Sequence, residues 1–389
     1  MASLDLKKAF DRVSYSAIFE ALRSQGIDEP MIALLLDLYS MQSGSTRGGK
    51  AFPIRRGVRQ GDIISSIIFN AVLEHAFQSW KSKLGDHGWL LSNEALERLT
   101  NSRYADDMMI YAKSLPELEF MLVTLKEELL KIGLEMHESK SKILTSFNED
   151  HLDFVDINGL LIEILPQDKG HRYLGRMIAS SDSHGNIELA SRVRTAWGKF
   201  HKHRRWLTNR QVPVQLRLKL FDAVVSPADL FDLSTVPLTS ALISQLGIAQ
   251  RKMLRSIVGW VRLPSDDWAD TMRRMRQRLD RASRLHFVAP WEIRLKQEQW
   301  KYAQHLANLR ADSWQSLVVQ WQPTNTIDPS MLYISHRKRR RPRVRWFDDL
   351  AAVAFETFED EQWIPALRSC DARQLRELEY AYIIFASPL

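Results

Sequence analysis

Ser102–Ala112 reads SRYADDMMIYA, an aromatic residue, two adjacent aspartates and then an apolar run. β-prone residues on both sides of a small polar centre predict two strands joined by a tight turn. Consecutive residues of a strand face opposite sides, but around a tight turn Asp106 and Asp107 can point towards one centre. Two unit charges about 4 Å apart repel by about 4 kcal/mol at an effective dielectric near 20. A divalent cation reverses the sign of that term, and Mg2+ takes few carboxylates while keeping positions for water or phosphate oxygens. A third carboxylate is then expected, and LDLKKAFD offers Asp5 at the end of a short strand. Taken singly, an Asp-Asp pair is most often a solvated turn, so its meaning comes from what surrounds it.

Outward from this hairpin, the first half alternates helix and strand signals. Ser14 is placed as an N-cap of a helix running to about Gln25 and closed by Gly26. Pro30 suits the first turn of a second helix, to about Ser40. STRGGKAFPI reads as a hairpin with its turn at Gly48-Gly49. Ile64, Ile67, Ile68, Ala71, Val72 and Phe77 recur at helical intervals, and residues 84–98 form a polar insert. Pro116 opens a helix that Gly133 ends near Ile132, and SKILTSF follows as a strand. The order predicts an α+β fold, with helices on one face of a small antiparallel sheet. The second half is mostly helical, with helices opening at Pro213 and Pro290, the second carrying Ile293, Trp300, Ala303 and Leu306.

The 389 residues suffice for two or three domains, and 45% apolar content supports a real core. No apolar run reaches about 18 residues, so no membrane span is expected. No secretory leader is visible. The single cysteine, Cys370, excludes an internal disulfide and a Cys-rich zinc site, which fits the nucleus or cytoplasm. The net charge of +7 is uneven: residues 1–178 carry 21 Lys/Arg against 25 Asp/Glu, residues 179–389 carry 33 against 22. A basic half suggests a polyanion partner, most simply nucleic acid.

SLDLKKAFDRV, RRGVRQGDIISSIIFN, YADDMMIYA, GLEMHESKSKI and RYLGRMI occur in this order with suitable spacing. Together they resemble the successive palm motifs of reverse transcriptases, most closely those of non-LTR, LINE-type retrotransposons. Intron maturases and telomerase-like enzymes share the palm, but the wording of the motifs and the later RPRVRWFDD look more like a LINE element. The resemblance implies a right-hand palm over residues 1–178, a helical thumb-like region over 179–265 and a helical basic C-terminal region over 266–389. It implies an RNA-directed DNA polymerase acting on an RNA template, a DNA primer and deoxynucleoside triphosphates. Asp5, Asp106 and Asp107 match its metal-binding aspartates, for two Mg2+ ions with Mn2+ as the alternative. Lys140 matches the lysine that protonates leaving pyrophosphate, with Lys142 an equally placed donor, and His137 stands where asparagine is common. Phe10 matches the aromatic that blocks a ribonucleotide 2′-hydroxyl, although a core phenylalanine would read the same. Arg59, Gln60 and Gly61 fall where nucleotide and template are contacted, Gly61 allowing close backbone approach. Tyr173, Leu174 and Gly175 match the hairpin that holds the primer terminus.

From Arg192 to Arg210 there are seven Lys/Arg and no acid, interleaved with Trp197, Phe200, His201, His203 and Trp206. Basic residues follow phosphates and aromatics stack on bases. Arg192, Arg194, Lys199, Lys202, Arg204 and Arg205 are thus candidate nucleic-acid contacts, against the alternative of an amphipathic helix burying its tryptophans. A second basic helix is expected near RRMRQRLDRASR, Arg273 to Arg284. The run beginning Arg337, Lys338, Arg339 and Arg340 reads equally as RNA-binding, as a nuclear-import signal over 337–345 or as a solvated linker. Neither the family's upstream fingers, nor a nicking endonuclease, nor its Cys/His zinc knuckle is visible. The chain therefore reads as a truncated retroelement polymerase, or as a non-catalytic nucleic-acid-binding relic of one.

Overall fold

The computed structural model describes residues 1–46, 48–91, 98–146, 153–180, 184–320, 346–358 and 363–385. They form two compact units, Met1–Gly175 with Ala179–Ser181, and Arg176–Ile178 with Asp182–Leu389.

The first unit runs β1 (Ala2–Leu4), α1 (Ala9–Arg12), α2 (Tyr15–Ser24), α3 (Glu29–Ser40), β2 (Ser43–Gly44), β3 (Phe52–Pro53), α4 (Ile63–Ser82), β4 (Trp89–Leu90) and β5 (Arg98–Leu99). It continues through β6 (Asn101–Tyr104), β7 (Asp107–Ile110), α5 (Leu115–Lys131), β8 (Lys142–Leu144), β9 (Phe154–Asp156), β10 (Leu161–Leu165) and β11 (His171–Tyr173). The predicted stops and starts act as expected. The Ser14 hydroxyl accepts the Ala17 N–H at 3.2 Å, and Gly26 and Gly133 take φ of 82° and 84° just past their helices.

The main sheet has six strands in the order β6-β7-β1-β8-β10-β9. It is mixed, which corrects the expectation of an antiparallel sheet: β10 runs parallel to β8. β9 and β10 form an antiparallel hairpin around Asn158-Gly159, and this hairpin joins β8 through its second strand, so β8 and β10 share a direction. Ala2 and Leu4 of β1 and Met108 and Ile110 of β7 belong to one core with the buried faces of α2, α4 and α5. Alternation along a strand then turns Ser3, Asp5, Asp107 and Met109 to the opposite face. On α4 the buried stripe is Ile68, Phe69, Val72, Leu73, Ala76, Phe77 and Trp80, whereas Ile67, counted in the predicted apolar set, is 65% exposed. Trp80 donates its indole N–H to the Met121 carbonyl at 2.9 Å, tying α4 to α5. Burial works against ionisation of Glu128 on α5, but hydrogen bonds from Lys131, Lys83 and Ser79 outweigh it and hold the carboxyl at about 2.

The second unit begins with β12 (Arg176–Ile178) and is otherwise helical: α6 (His184–Leu207), α7 (Val214–Val224), α8 (Ser226–Leu230), a 3-10 turn (Leu233–Thr235), α9 (Ser240–Val258), α10 (Trp268–Leu285), α11 (Trp291–Asn308), α12 (Trp314–Gln320), α13 (Asp348–Phe358), α14 (Trp363–Ser369) and α15 (Ala372–Phe385). One apolar core spans α6 to the first turns of α11, and another joins the rest of α11 to α13, α14 and α15. No helix among the described residues is long and apolar enough to cross a membrane.

Candidate active site

The register of three strands assembles the site. β1 pairs antiparallel with β7, Leu4 opposite Met108 and Ala2 opposite Ile110. Continued by one residue, this register sets Asp5 opposite Asp107. On its other side β1 pairs with β8, Ser3 opposite Lys142, and the same continuation sets Asp5 opposite Lys140. Neighbouring strands lie about 4.8 Å apart, so three charged side chains from distant parts of the chain converge at the end of β1. The Lys140 ammonium lies 3.1 Å from Asp5 Oδ2. Around Asp5, the backbone N–H donates to the Ser141 hydroxyl at 3.3 Å, and the carbonyl accepts the His137 N–H at 2.8 Å.

Asp106 sits in the two-residue turn between β6 and β7, with Tyr104 paired to Asp107. Ala105 takes a φ of 53°, a left-handed conformation that costs a residue with a β-carbon about 1–2 kcal/mol. The strain sits beside the carboxylates, where the turn re-aims the chain between the two strands. Burial, then the neighbouring carboxylates of Asp106 and Asp5, raise the Asp107 pKa, and Lys140 opposes them. Asp5 Oδ2 is buried, and its one partner among the described residues is the Lys140 ammonium, an ion pair without hydrogen-bond geometry.

Among the described residues no group of three or more His, Cys, Asp or Glu side chains is already closed around a metal position. The donor set nevertheless suits a hard divalent cation: oxygen ligands only, mutually repelling, with the buried Asp5 Oδ2 met by the Lys140 ammonium and by no hydrogen bond. A cation would lower the energy of each of these features.

The two candidate lysines separate. Lys140 faces the carboxylates, whereas Lys142 pairs with Glu163 at 2.9 Å and donates to the Ser139 carbonyl at 2.6 Å. Phe10 is half-buried and stacks on Phe69 of α4, ring centroids 4.4 Å apart, so its ring is fixed from below by the core. Arg59, Gln60 and Gly61 are exposed in the loop before α4. Gly61 has a φ of 90°, but apart from its own chain neighbours nothing lies within 4 Å of where its β-carbon would be. The close backbone approach is at Gly57 instead, where a β-carbon would come within 2.7 Å of the Asp11 carbonyl oxygen. Gly57 and Val58 donate to the Val13 and Phe10 carbonyls, both at 2.7 Å, and so hang the loop on the segment that carries Phe10.

Leu174 and Gly175, φ 48° and 81°, form the turn after β11. The Tyr173 hydroxyl donates to the Asp107 carbonyl at 3.5 Å, and His171 Nε2 lies 3.0 Å from the Ser3 hydroxyl. β11 therefore lies over the sheet face that carries the carboxylates. The sequence reading missed His171 and Ser141, because no spacing signal distinguishes them from any polar residue near a strand.

In the second unit α6 divides its basic residues by face. Arg194, Lys199, Lys202, Arg204 and Arg205 are exposed, and Arg205 lies over the Trp206 ring at 5.2 Å. Arg192 is not on that surface, which corrects its reading as a nucleic-acid contact. It is 7% exposed, on the face of Leu189, Ala196 and Phe200, and its Nε lies 2.7 Å from Glu188. Arg337, Lys338, Arg339 and Arg340 lie outside the described residues.

A β-hairpin and a neighbouring central strand thus deliver carboxylates to one point beside a lysine. Residues 1–178 match the family profile described as reverse transcriptase (RNA-dependent DNA polymerase). The chain is 29% identical over 192 residues to the retrovirus-related Pol polyprotein from type-1 retrotransposable element R2 of Popillia japonica, covering 46% of this chain and 26% of that one. It is 26% identical over 280 residues to the corresponding polyprotein of Nasonia vitripennis, covering 68% and 25%. It is 27% identical over 257 residues to a transposon-derived protein of Caenorhabditis elegans, covering 65% and 84%. Residues 1–178 are thus similar to the reverse transcriptase family and to the Pol polyproteins of R2 retrotransposable elements. The chain spans about a quarter of the length of the Popillia and Nasonia polyproteins it matches. A telomerase structure from Candida albicans aligns over 77% of this chain and 47% of its own, at 12% identity and a TM-score of 0.32, too low to support any argument.

Proposed function

We propose that the chain is the palm and following helical region of an RNA-directed DNA polymerase that extends a DNA primer on an RNA template. The observation that carries this reading is the shared register of β7, β1 and β8, which brings Asp107, Asp5 and Lys140 to one point. In this reading residues 1–178 are the palm, 179–265 the thumb-like region and 266–389 a basic C-terminal region.

Asp5 and Asp106 would hold two Mg2+ ions, with Asp107 assisting. When bound, such ions neutralise charge on the attacking 3′-oxygen and on the leaving pyrophosphate. The chain's own residues position and shield the reactants. Lys140 holds a proton within reach of the carboxylate centre and delivers it to the leaving pyrophosphate. Phe10, its ring fixed by Phe69, lies under the sugar and excludes a 2′-hydroxyl. Arg59 meets a triphosphate oxygen, while Gln60 and the unobstructed backbone at Gly61 contact the nucleotide or template. Tyr173, Leu174 and Gly175 hold the primer end, with Tyr173 tied to the Asp107 backbone. Arg194, Lys199, Lys202, Arg204 and Arg205 follow the duplex phosphates.

The test is primer extension on an RNA template with deoxynucleotides and Mg2+, beside the Asp106→Ala/Asp107→Ala double variant, with RNA binding measured in parallel. Extension by the wild type alone supports the reading. Failure of both proteins to extend, with RNA binding retained by both, would replace it with binding without catalysis.

A further inference from the structure

In the second unit, α9 and α10 enclose an open groove of about 720 Å³ into which Arg251, Arg255, Arg273 and Arg276 project. These arginines differ in what holds them. Arg251 lies 3.0 Å from Glu292, and Arg273 lies 3.1 Å from Asp270 one turn earlier on its own helix. Arg255 and Arg276 have no ion pair among the described residues; the remaining acid of the lining is Asp280. Four guanidinium groups around two acids, Asp280 and Glu292, leave a positive surplus in a concave site, where the field of each charge reinforces the next.

This surplus is not a by-product of holding the helices together. Two other arginines of α10 do that: Arg278 donates to the Val258 carbonyl at 3.1 Å and Arg274 to the Val261 carbonyl at 2.8 Å. They satisfy carbonyls at and beyond the C-terminal end of α9, where positive charge is favoured. Arg276 and Arg255 make no such bond and stand over the groove.

An aromatic pair stands one turn before Met272, the first residue of α10 in the groove lining. Trp268, Met272 and Arg276 follow one another at four-residue intervals, so they share one face of α10. Trp268 is 64% exposed and Trp260, just past α9, is 42% exposed, with ring centroids 5.8 Å apart. Two partly exposed indoles, and two arginines with no ion pair among the described residues, offer both parts of a strand-binding surface: phosphate contacts and a π-face.

The geometry points to a binding site for single-stranded nucleic acid between α9 and α10, with phosphates on Arg255 and Arg276 and a base stacked on Trp268. A duplex offers the phosphates but hides its base faces in its own stack, so it cannot use the indoles. The site belongs to the helical unit and stands whether or not the first unit polymerises.

The test uses the full chain and fluorescence anisotropy with a labelled 15-nucleotide oligouridylate and, separately, a 15-base-pair RNA duplex, from 50 to 200 mM KCl. The Arg255→Gln/Arg276→Gln variant is expected to bind the oligouridylate about tenfold more weakly. Its slope of log affinity against log salt should fall by roughly 1.4, about 0.7 for each single-strand phosphate left without its arginine. Trp268→Ala should weaken oligouridylate binding about tenfold and leave duplex binding unchanged. The Asp106→Ala/Asp107→Ala variant should bind as the wild type does, which separates this site from the polymerase reading. Unchanged affinity and slope in the arginine variant would overturn the proposal. So would equal losses on strand and duplex in the Trp268 variant, or displacement of the oligouridylate by polyglutamate of equal charge, which would mark an acidic protein partner. Circular dichroism checks that each variant is folded; should one arm fail there, the other still decides.

Discussion

Asp229 on α8 is fully buried, and neither of its carboxylate oxygens has a hydrogen-bond partner. Burial pushes its pKa up from 3.8 to about 7, against a smaller opposing pull from Arg192, which Glu188 already engages. The unfolded chain loses this proton near 3.8 and the folded chain keeps it to about 7. The folded protein is therefore penalised progressively as pH rises across that window, and the penalty is complete above it. The window of 3.8 to about 7, at 1.36 kcal/mol per unit, corresponds to roughly 4 kcal/mol. Asp229→Asn removes the ionisation while keeping the shape. For a cooperative unit of roughly two hundred residues, that energy is a shift of about 10 °C in melting temperature. Ten of the twelve tryptophans lie beyond residue 190, so tryptophan fluorescence reports mainly on the helical unit. Melting curves at intervals from pH 4 to 8 should show the variant gaining on the wild type as pH rises, with the largest gap at pH 8. Parallel melting profiles across the whole range would refute the reasoning, because the carboxyl would then be solvated or paired when ionised.

Two further predictions concern the first unit. Lys140→Met should lower the rate of nucleotide addition by about 10²–10⁴-fold in single-turnover extension, whereas Lys142→Met should mainly lower stability; the reverse pattern would exchange their roles. Gly57→Ala forces a β-carbon against the Asp11 backbone in a left-handed conformation and should cost about 2–5 kcal/mol of stability in denaturant titrations. A neutral result would show that the loop carrying Arg59 and Gln60 is not held by that contact.

Much of the first unit was legible because its signals are local. The tight turn at Ala105-Asp106, the cap at Ser14 and the stops at Gly26 and Gly133 each follow from a few neighbouring residues. The parallel pairing of β8 with β10 was not legible, since the direction of a strand pair depends on where a whole hairpin docks. Nor was the exposure of Ile67, because helical periodicity gives a stripe but not which flank of it the sheet covers. In the helical half, composition marks α6 as basic but cannot divide it into faces. Only packing shows that Arg192 is buried with Glu188 while Arg194 and Lys202 remain in water.

The amino-acid sequence by itself determined the candidate groups: which carboxylates, which lysines, which aromatic and in what order, because those identities are what the motifs consist of. The tertiary structure decided proximity. Asp5, Asp107 and Lys140 are far apart in the chain, and only the antiparallel register on both sides of β1 places them together. That same register brings Lys140, and not Lys142, beside Asp5. Two residues along a strand keep the same face but move a side chain about 6–7 Å, which carries Lys142 away from Asp5 to the level of Ser3 and Glu163.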